Sequence, residues 1–281
     1  MRGRGPGHGD GAGAALVTRA SGQRAGQGVV VTGAARGIGR ALARRLAAGG
    51  ARLVVSDVDA DALAEVAAEV GGLAVPGDAA SVDGVAALVA RAEEHLGGID
   101  AYFANAGSDR GRGLLAGEDD WAASLEVNVL AHVRAARLLV PRWLERGGGR
   151  FVVTASAAGL LTMLGSPAYS VSKHGAVAFA EWLAATYRHR GIVVQAICPQ
   201  GVATRMLEES GGLEEILSHD WALSPDEVAE AAWTALADDR FLVLPHPEVE
   251  GYFLARAQDH SRWLAGMNRL QQRLDLRGAD A

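Results

Sequence analysis

"VVVTGAARGIGRALARRLAAGGARLVVSD", residues 29–57, begins with four β-branched residues and then breaks into glycines. The opening run reads as a buried strand, and "IGRALARRLA" carries apolar residues at helical spacing. "LVVS" then reads as a second strand. Between the first strand and the helix stand Gly33, Gly37 and Gly39. Amides at a helix start have no partner inside the helix and point outward, and the positive end of the helix dipole adds to their pull on an anion. A phosphate comes close only where side chains are absent, and a turn needing positive φ needs glycine. The stretch therefore predicts a phosphate cradle. A plain tight turn is the alternative, because the spacing is G-x-x-x-G-x-G rather than the commoner G-x-G-x-x-G.

The second strand ends at Asp57, 24 residues after Gly33. An acid at about this distance accepts hydrogen bonds from an adenosine ribose and repels a 2′-phosphate. Asp57 thus favours NAD over NADP, with a helix N-cap as its bland alternative. Arg36, a cation inside the turn, argues the other way, but its side chain is free to turn aside.

Outward from this unit the pattern repeats. Apolar runs at 28–32, 52–56, 73–75, 100–104, 150–155, 192–197 and 241–244 alternate with helical stretches such as "SVDGVAALVARAEEHLGG". Runs without strict alternation suit strands covered on both faces. The expected fold is α/β: a single-domain, Rossmann-type, doubly wound parallel sheet with helices on both faces. Residues 28–250 form that domain. Residues 1–27, dense in Gly and Arg, read as a disordered leader, and 251–281 as a C-terminal helical extension.

Composition excludes other classes. A net charge of −6 and a pI near 5.8 argue against nucleic-acid binding. No apolar run reaches the length of a membrane span, and no secretory signal precedes the domain. One cysteine, Cys198, fits a reducing cytoplasm. The histidines show no metal-ligand spacing, so no metal is expected.

Seven segments, in order along residues 28–245, resemble the classical short-chain dehydrogenase/reductase family. "TGAARGIG" (32–39) is similar to its cofactor turn and "GDAA" (77–80) to its adenine-contacting segment. "ANAG" (104–107) is similar to its "NNAG" motif, with Ala104 for the first Asn. "VNV" (127–129) carries the helix asparagine. "VVTASAAG" (152–159) carries the serine, "YSVSK" (169–173) the Tyr-x-x-x-Lys pair, and "CPQGVAT" (198–204) the segment beside nicotinamide, with Gln200 for the usual glycine. The resemblance implies a catalytic set of Asn128, Ser156, Tyr169 and Lys173. It implies cofactor contacts from Gly33, Arg36, Gly37, Ile38, Gly39, Asp57, Asp78, Ala79, Asn105, Ala106, Gly107, Tyr169, Lys173, Pro199, Val202 and Thr204. A turn hydrogen bond is the alternative for Thr204.

The chemistry that this set implies is hydride transfer between a secondary alcohol or ketone and NAD, with NADP disfavoured. A phenol with an ordinary pKa of ~10 is a poor base. A lysine at i+4 lies on the same helix face, and its charge favours the phenolate. Ser156 would hold the substrate oxygen. Asn128 would steady a water leading from Lys173, and Lys173 would hold the nicotinamide ribose. A non-catalytic dinucleotide sensor is the alternative. His174 and Cys198 read as packing residues. Segments 108–117, 160–167 and 205–223 are candidate substrate walls, the last a candidate lid. Leu160, Met163, Leu164, Met206 and Leu207 suggest an apolar pocket for a hydrophobic substrate. In the family that the chain resembles, the long helices matching 118–145 and 167–190 pair between subunits, and the resemblance therefore implies a homodimer or homotetramer.

Overall fold

A computed structural model of the chain describes residues 25–208 and 222–279. The reading of residues 1–24 as a leader, and most of the lid, lie outside them. Seven parallel strands form one sheet: β1 (Gly28–Thr32), β2 (Arg52–Ser56), β3 (Leu73–Ala74), β4 (Ala101–Ala104), β5 (Gly149–Thr154), β6 (Ile192–Ile197) and β7 (Leu242–Val243). Their order is β3-β2-β1-β4-β5-β6-β7, with Val30 of β1 in register with Val54 of β2 and Tyr102 of β4. The order reverses between β1 and β4. In such sheets a crevice opens there, beyond the carboxyl ends of the strands.

Alternate side chains serve opposite faces, as a pleat requires. Val30, Val54, Tyr102 and Phe151 join α3 (Val82–Leu96), α5 (Ala131–Glu145) and α6 (Pro167–Tyr187) in one core. Val29, Val31, Leu53, Phe103 and Val152 join α1 (Gly37–Ala48), α2 (Ala60–Val70) and α8 (Pro225–Ala235) in the other. Each helix buries one stripe. In α1, Leu42 and Leu46 are buried while the basic residues lie on the outside. Trp143 of α5 packs edge-on against Phe151, and its indole N–H donates to the Ile99 carbonyl at 2.7 Å.

The expected helix over 118–145 is interrupted. α4 (Glu118–Leu125) passes through a π turn, Glu126–Leu130, before α5 begins. The wider turn sets Asn128 inside the fold with no exposure; such bulges often mark functional positions. A short α7 (Arg205–Glu208) follows β6, and the C-terminal run forms α9 (Glu248–Gln258) and α10 (His260–Ala279). Val249 anchors α9 in the core, and Arg256 donates to the Leu160 carbonyl, so α9 packs on its own domain. Gly26 and Gln27 pair with the chain at Gly50 and Arg52, so these two residues are tied to the sheet. No helix among the described residues is long and apolar enough to cross a membrane.

Candidate active site

The glycine turn lies at the switch point. Gly33 has φ +64° and Gly37 φ +52°, left-handed conformations that a side chain disfavours. Gly39 meets a different demand: a Cβ there would sit 2.0 Å from the Gly33 carbonyl oxygen. Gly39→Ala is expected to destabilise the protein by about 1–3 kcal/mol through overpacking and to weaken dinucleotide binding sharply. Denaturant unfolding and cofactor titration check this; wild-type values in both would contradict it. The α1 N-terminus has no side-chain cap, and its first turn holds no acid. Its outward amides are thus left for an external anion.

Asp57 braces this turn. One carboxylate oxygen accepts from the Ala35 amide at 3.0 Å and the other from the Asp59 amide at 3.1 Å. The N-cap of α2 is Asp59, which accepts from the Ala62 amide and pairs with Arg36 at 2.5 Å. Asp78 is exposed and accepts from the Ala80 amide, while Ala79 between them is buried. Asn105 is a brace as well. Its side-chain amide donates to the Thr32 and Gly33 carbonyls, and its backbone amide to the Thr32 hydroxyl, tying β4 to β1. Asn105 Oδ1 is buried without a partner among the described residues. Ala106 sits against Gly33. These residues suit a nicotinamide dinucleotide: left-handed glycines, an uncapped helix start and an orphaned acceptor at one crevice.

The four expected catalytic residues converge at the ends of β5 and α6. Ser156 follows β5, and its hydroxyl accepts from the Ala158 amide at 3.1 Å. Tyr169 and Lys173, one turn apart on α6, are 8% and 3% exposed. Lys173 Nζ donates to the Thr154 carbonyl at 2.9 Å and lies 5.6 Å from the Tyr169 ring centre. Asn128 donates to the Ser108 carbonyl and to Ser172 Oγ, and it accepts from the Ser108 amide. A Cβ on Gly107 would lie 3.4 Å from both Asn128 Oδ1 and Lys173 Nζ, which places the two ends together. Pro199 accepts from the Ala157 amide, joining the segment after β6 to the serine turn. Thr204 donates to the Val202 carbonyl, the turn bond held open for it, and its methyl faces Gly37.

The profile of the short chain dehydrogenase family matches residues 27–213. The chain belongs to the short-chain dehydrogenase family. It is 38% identical over 240 residues to a 1-deoxy-11-beta-hydroxypentalenate dehydrogenase of Streptomyces exfoliatus, covering 78% of this chain and 82% of the relative. A short-chain dehydrogenase/reductase from Burkholderia phymatum, solved with NAD, superposes with a TM-score of 0.76 at 29% identity, covering 84% of this chain and 95% of that one. A 7 alpha-hydroxysteroid dehydrogenase, solved with NADH and 7-oxo glycochenodeoxycholic acid, gives 0.73 at 26% identity, covering 80% and 95%. The chain is an oxidoreductase of secondary alcohols and ketones that uses a nicotinamide dinucleotide. Nothing favours the sensor alternative.

The electrostatics of this dehydrogenase differ from the sequence expectation in one respect. With the chain's own groups alone, burial pushes the Tyr169 phenol up to about 12; the Ser156 hydrogen bond opposes this, while Asp109 and Cys198 add to it. Burial also pulls Lys173 down to about 8. Lysine at i+4 does not by itself bring the phenol near neutrality, because both groups lose water together. Cys198, buried, is pushed up to about 12 and is no nucleophile at neutral pH. Leu160 is a core residue rather than a pocket wall. His174 bonds the Ser170 carbonyl and meets Arg256 of α9, so it packs as expected.

Sequence reasoning missed His132, one turn beyond Asn128 in "NVLAH". It is 2% exposed, and neither ring nitrogen has a partner among the described residues. Burial, then the Lys173 charge, lower its pKa to about 3. An unfolded His takes up its proton near 6.5, so this group's stabilisation is present above that pH and is lost as pH falls towards 3. The slope is about 1.4 kcal/mol per pH unit. His132→Leu is expected to flatten the acid limb of stability by one proton, read from urea unfolding across that range. An unchanged slope would contradict it.

Proposed function

We propose that this protein oxidises or reduces a hydrophobic secondary alcohol or ketone with NAD, using Tyr169 as general acid/base. The observation that carries the reading is the buried Tyr169–Lys173 pair beside Ser156, just beyond the glycine turn. Tyr169 moves the substrate hydroxyl proton at its phenolic oxygen. Lys173 supplies a buried positive charge that favours the phenolate and holds the nicotinamide ribose. Ser156 orients the substrate oxygen and stabilises charge developing on it. Asn128 holds the loop at Ser108 and steadies a water on the Lys173 side. When bound, the nicotinamide ring supplies the hydride acceptor or donor.

The cofactor is held by Gly33, Gly37, Ile38 and Gly39 at its pyrophosphate, Asp57 at its adenosine ribose, and Asp78 and Ala79 near its adenine. Ala106, Gly107, Pro199, Val202 and Thr204 line the nicotinamide side. NAD is preferred because Asp57 stands at the end of β2 bonded to the Ala35 amide, and Asp59 two residues on pairs with Arg36, the cation that a 2′-phosphate would need. The expected result is a kcat/KM for NAD at least about a hundredfold above that for NADP. A preference for NADP, read from initial rates, would overturn this reading. The hydroxypentalenate and hydroxysteroid dehydrogenases to which the chain is similar support a carbinol on a bulky apolar body.

A homodimer or homotetramer through α4–α5 and α6 is part of this reading. Leu125, Leu130, Val171 and Trp182 expose apolar surface on those helices. A cytoplasmic location fits the single, buried cysteine. The test of the whole reading is an alcohol and ketone panel followed by NADH absorbance: turnover supports it, and silence across the panel with tight cofactor binding contradicts it.

A further inference from the structure

The loop after β4 is pinned across the reacting end at three places. Gly107 faces Lys173 Nζ, Ser108 is held on both backbone groups by Asn128, and the Gly113 amide donates to the Gly165 carbonyl at 2.8 Å. Gly165 precedes Tyr169 by four residues. A chain fixed at these points borders the Lys173 end of the site and the start of α6, and Asp109 lies between them. Its side chain is only 3% exposed, so it is turned in from water. Its charge bears on both Tyr169 and Lys173, raising both.

A carboxylate in this position makes the phenolate harder to form, so it does not serve to activate the base. Carboxylates are almost never buried unless paired. The one partner among the described residues is Arg112, at 2.8 Å to Oδ1 and itself 40% exposed. A carboxylate offers about four acceptor positions, so capacity remains for a further donor at this end of the site. We propose that Asp109 is a specificity-determining residue that accepts a hydrogen bond from a second donor on the substrate, a hydroxyl or an ammonium, close to the reacting carbinol. The inference rests on the assignment of Tyr169 above. It narrows the substrate to an apolar body carrying a diol, hydroxy ketone or amino alcohol, and it excludes a carboxylate adjacent to the carbinol.

A site built to bond a substrate donor rejects the analogue lacking it, because its own polar group is then left unpaired. The experiment compares kcat/KM for trans-1,2-cyclohexanediol, cyclohexanol, 2-aminocyclohexanol and 2-hydroxycyclohexanecarboxylate at saturating dinucleotide. Wild-type protein should favour the diol or the amino alcohol over cyclohexanol by at least about tenfold, and the better of the two identifies the donor. Asp109→Ala should collapse that ratio. Asp109→Asn, whose amide oxygen still accepts, should keep part of it. Arg112→Ala, which removes the ion pair but not the acceptor, should retain it. Equal use of diol and cyclohexanol, preference for the hydroxy acid, or an unchanged ratio in Asp109→Ala would overturn the inference while cyclohexanol turnover left the assignment of Tyr169 standing. If no compound is turned over by protein that binds the dinucleotide, the proposed function fails and this inference falls with it.

Discussion

Replacing Tyr169 with phenylalanine is expected to lower kcat by about a thousandfold, within the range for loss of a positioned general acid/base. Dinucleotide affinity should stay nearly intact, because the phenol's neighbours are Ser156 and the Lys173 side chain rather than the glycine turn. The ring stays buried in Tyr169→Phe, and the phenolic oxygen is not among the buried atoms without a partner. The variant loses that hydroxyl and its bond with Ser156, so it should fold with stability lowered by about 1–3 kcal/mol. Steady-state kinetics and fluorescence titration of the cofactor separate the two effects. A wild-type rate would place the proton chemistry elsewhere.

Lys173→Met is expected to reduce both turnover, by about a hundredfold or more, and dinucleotide affinity. This double loss distinguishes it from the tyrosine variant. It also changes the pH dependence of stability. The lysine's ordinary value is 10.5 and its folded value about 8, so the unfolded chain binds more protons between those values. Stability from this group is present above 10.5 and is lost as pH falls through 8. Tyr169 has the opposite sign: its stabilisation is full below 10 and is lost as pH rises towards 12. Between pH 8 and 10, wild-type stability should therefore rise relative to Lys173→Met. Guanidinium unfolding across that window reads the difference. A flat difference would mean that the amine is well solvated in the fold.

The strands were legible because each is an apolar run bounded by glycine or polar residues; their order is not written in those runs, because parallel doubly wound sheets take more than one order. Asn128, Ser156, Tyr169 and Lys173, the proposed catalytic set, could be singled out because each sits in a short linear pattern at the end of a strand or on one helix face, and the fold brings them together. What escaped depends on how loops fold back. Asp57 and Asn105 read as cofactor contacts; that each also braces the glycine turn with its own hydrogen bonds does not show in the linear pattern. Leu160 read as a pocket wall, but the turn after Ser156 carries it into the core. The π turn around Asn128 adds one residue per turn without changing the apolar pattern, so periodicity did not register it. Asp109 lies in a glycine-rich segment with no period, and only the bonds at Ser108 and Gly113 hold that segment against the site.

Tyr169, held at about 12 by burial among the chain's own groups, should be brought towards neutrality by a bound oxidised nicotinamide beside Lys173. Ultraviolet difference titration of tyrosinate measures this directly, in wild-type and Tyr169→Phe protein, with and without NAD. One tyrosine should ionise near neutral pH only with NAD bound, and it should be missing from the phenylalanine variant. Identical titrations of the two proteins in the presence of NAD would contradict it.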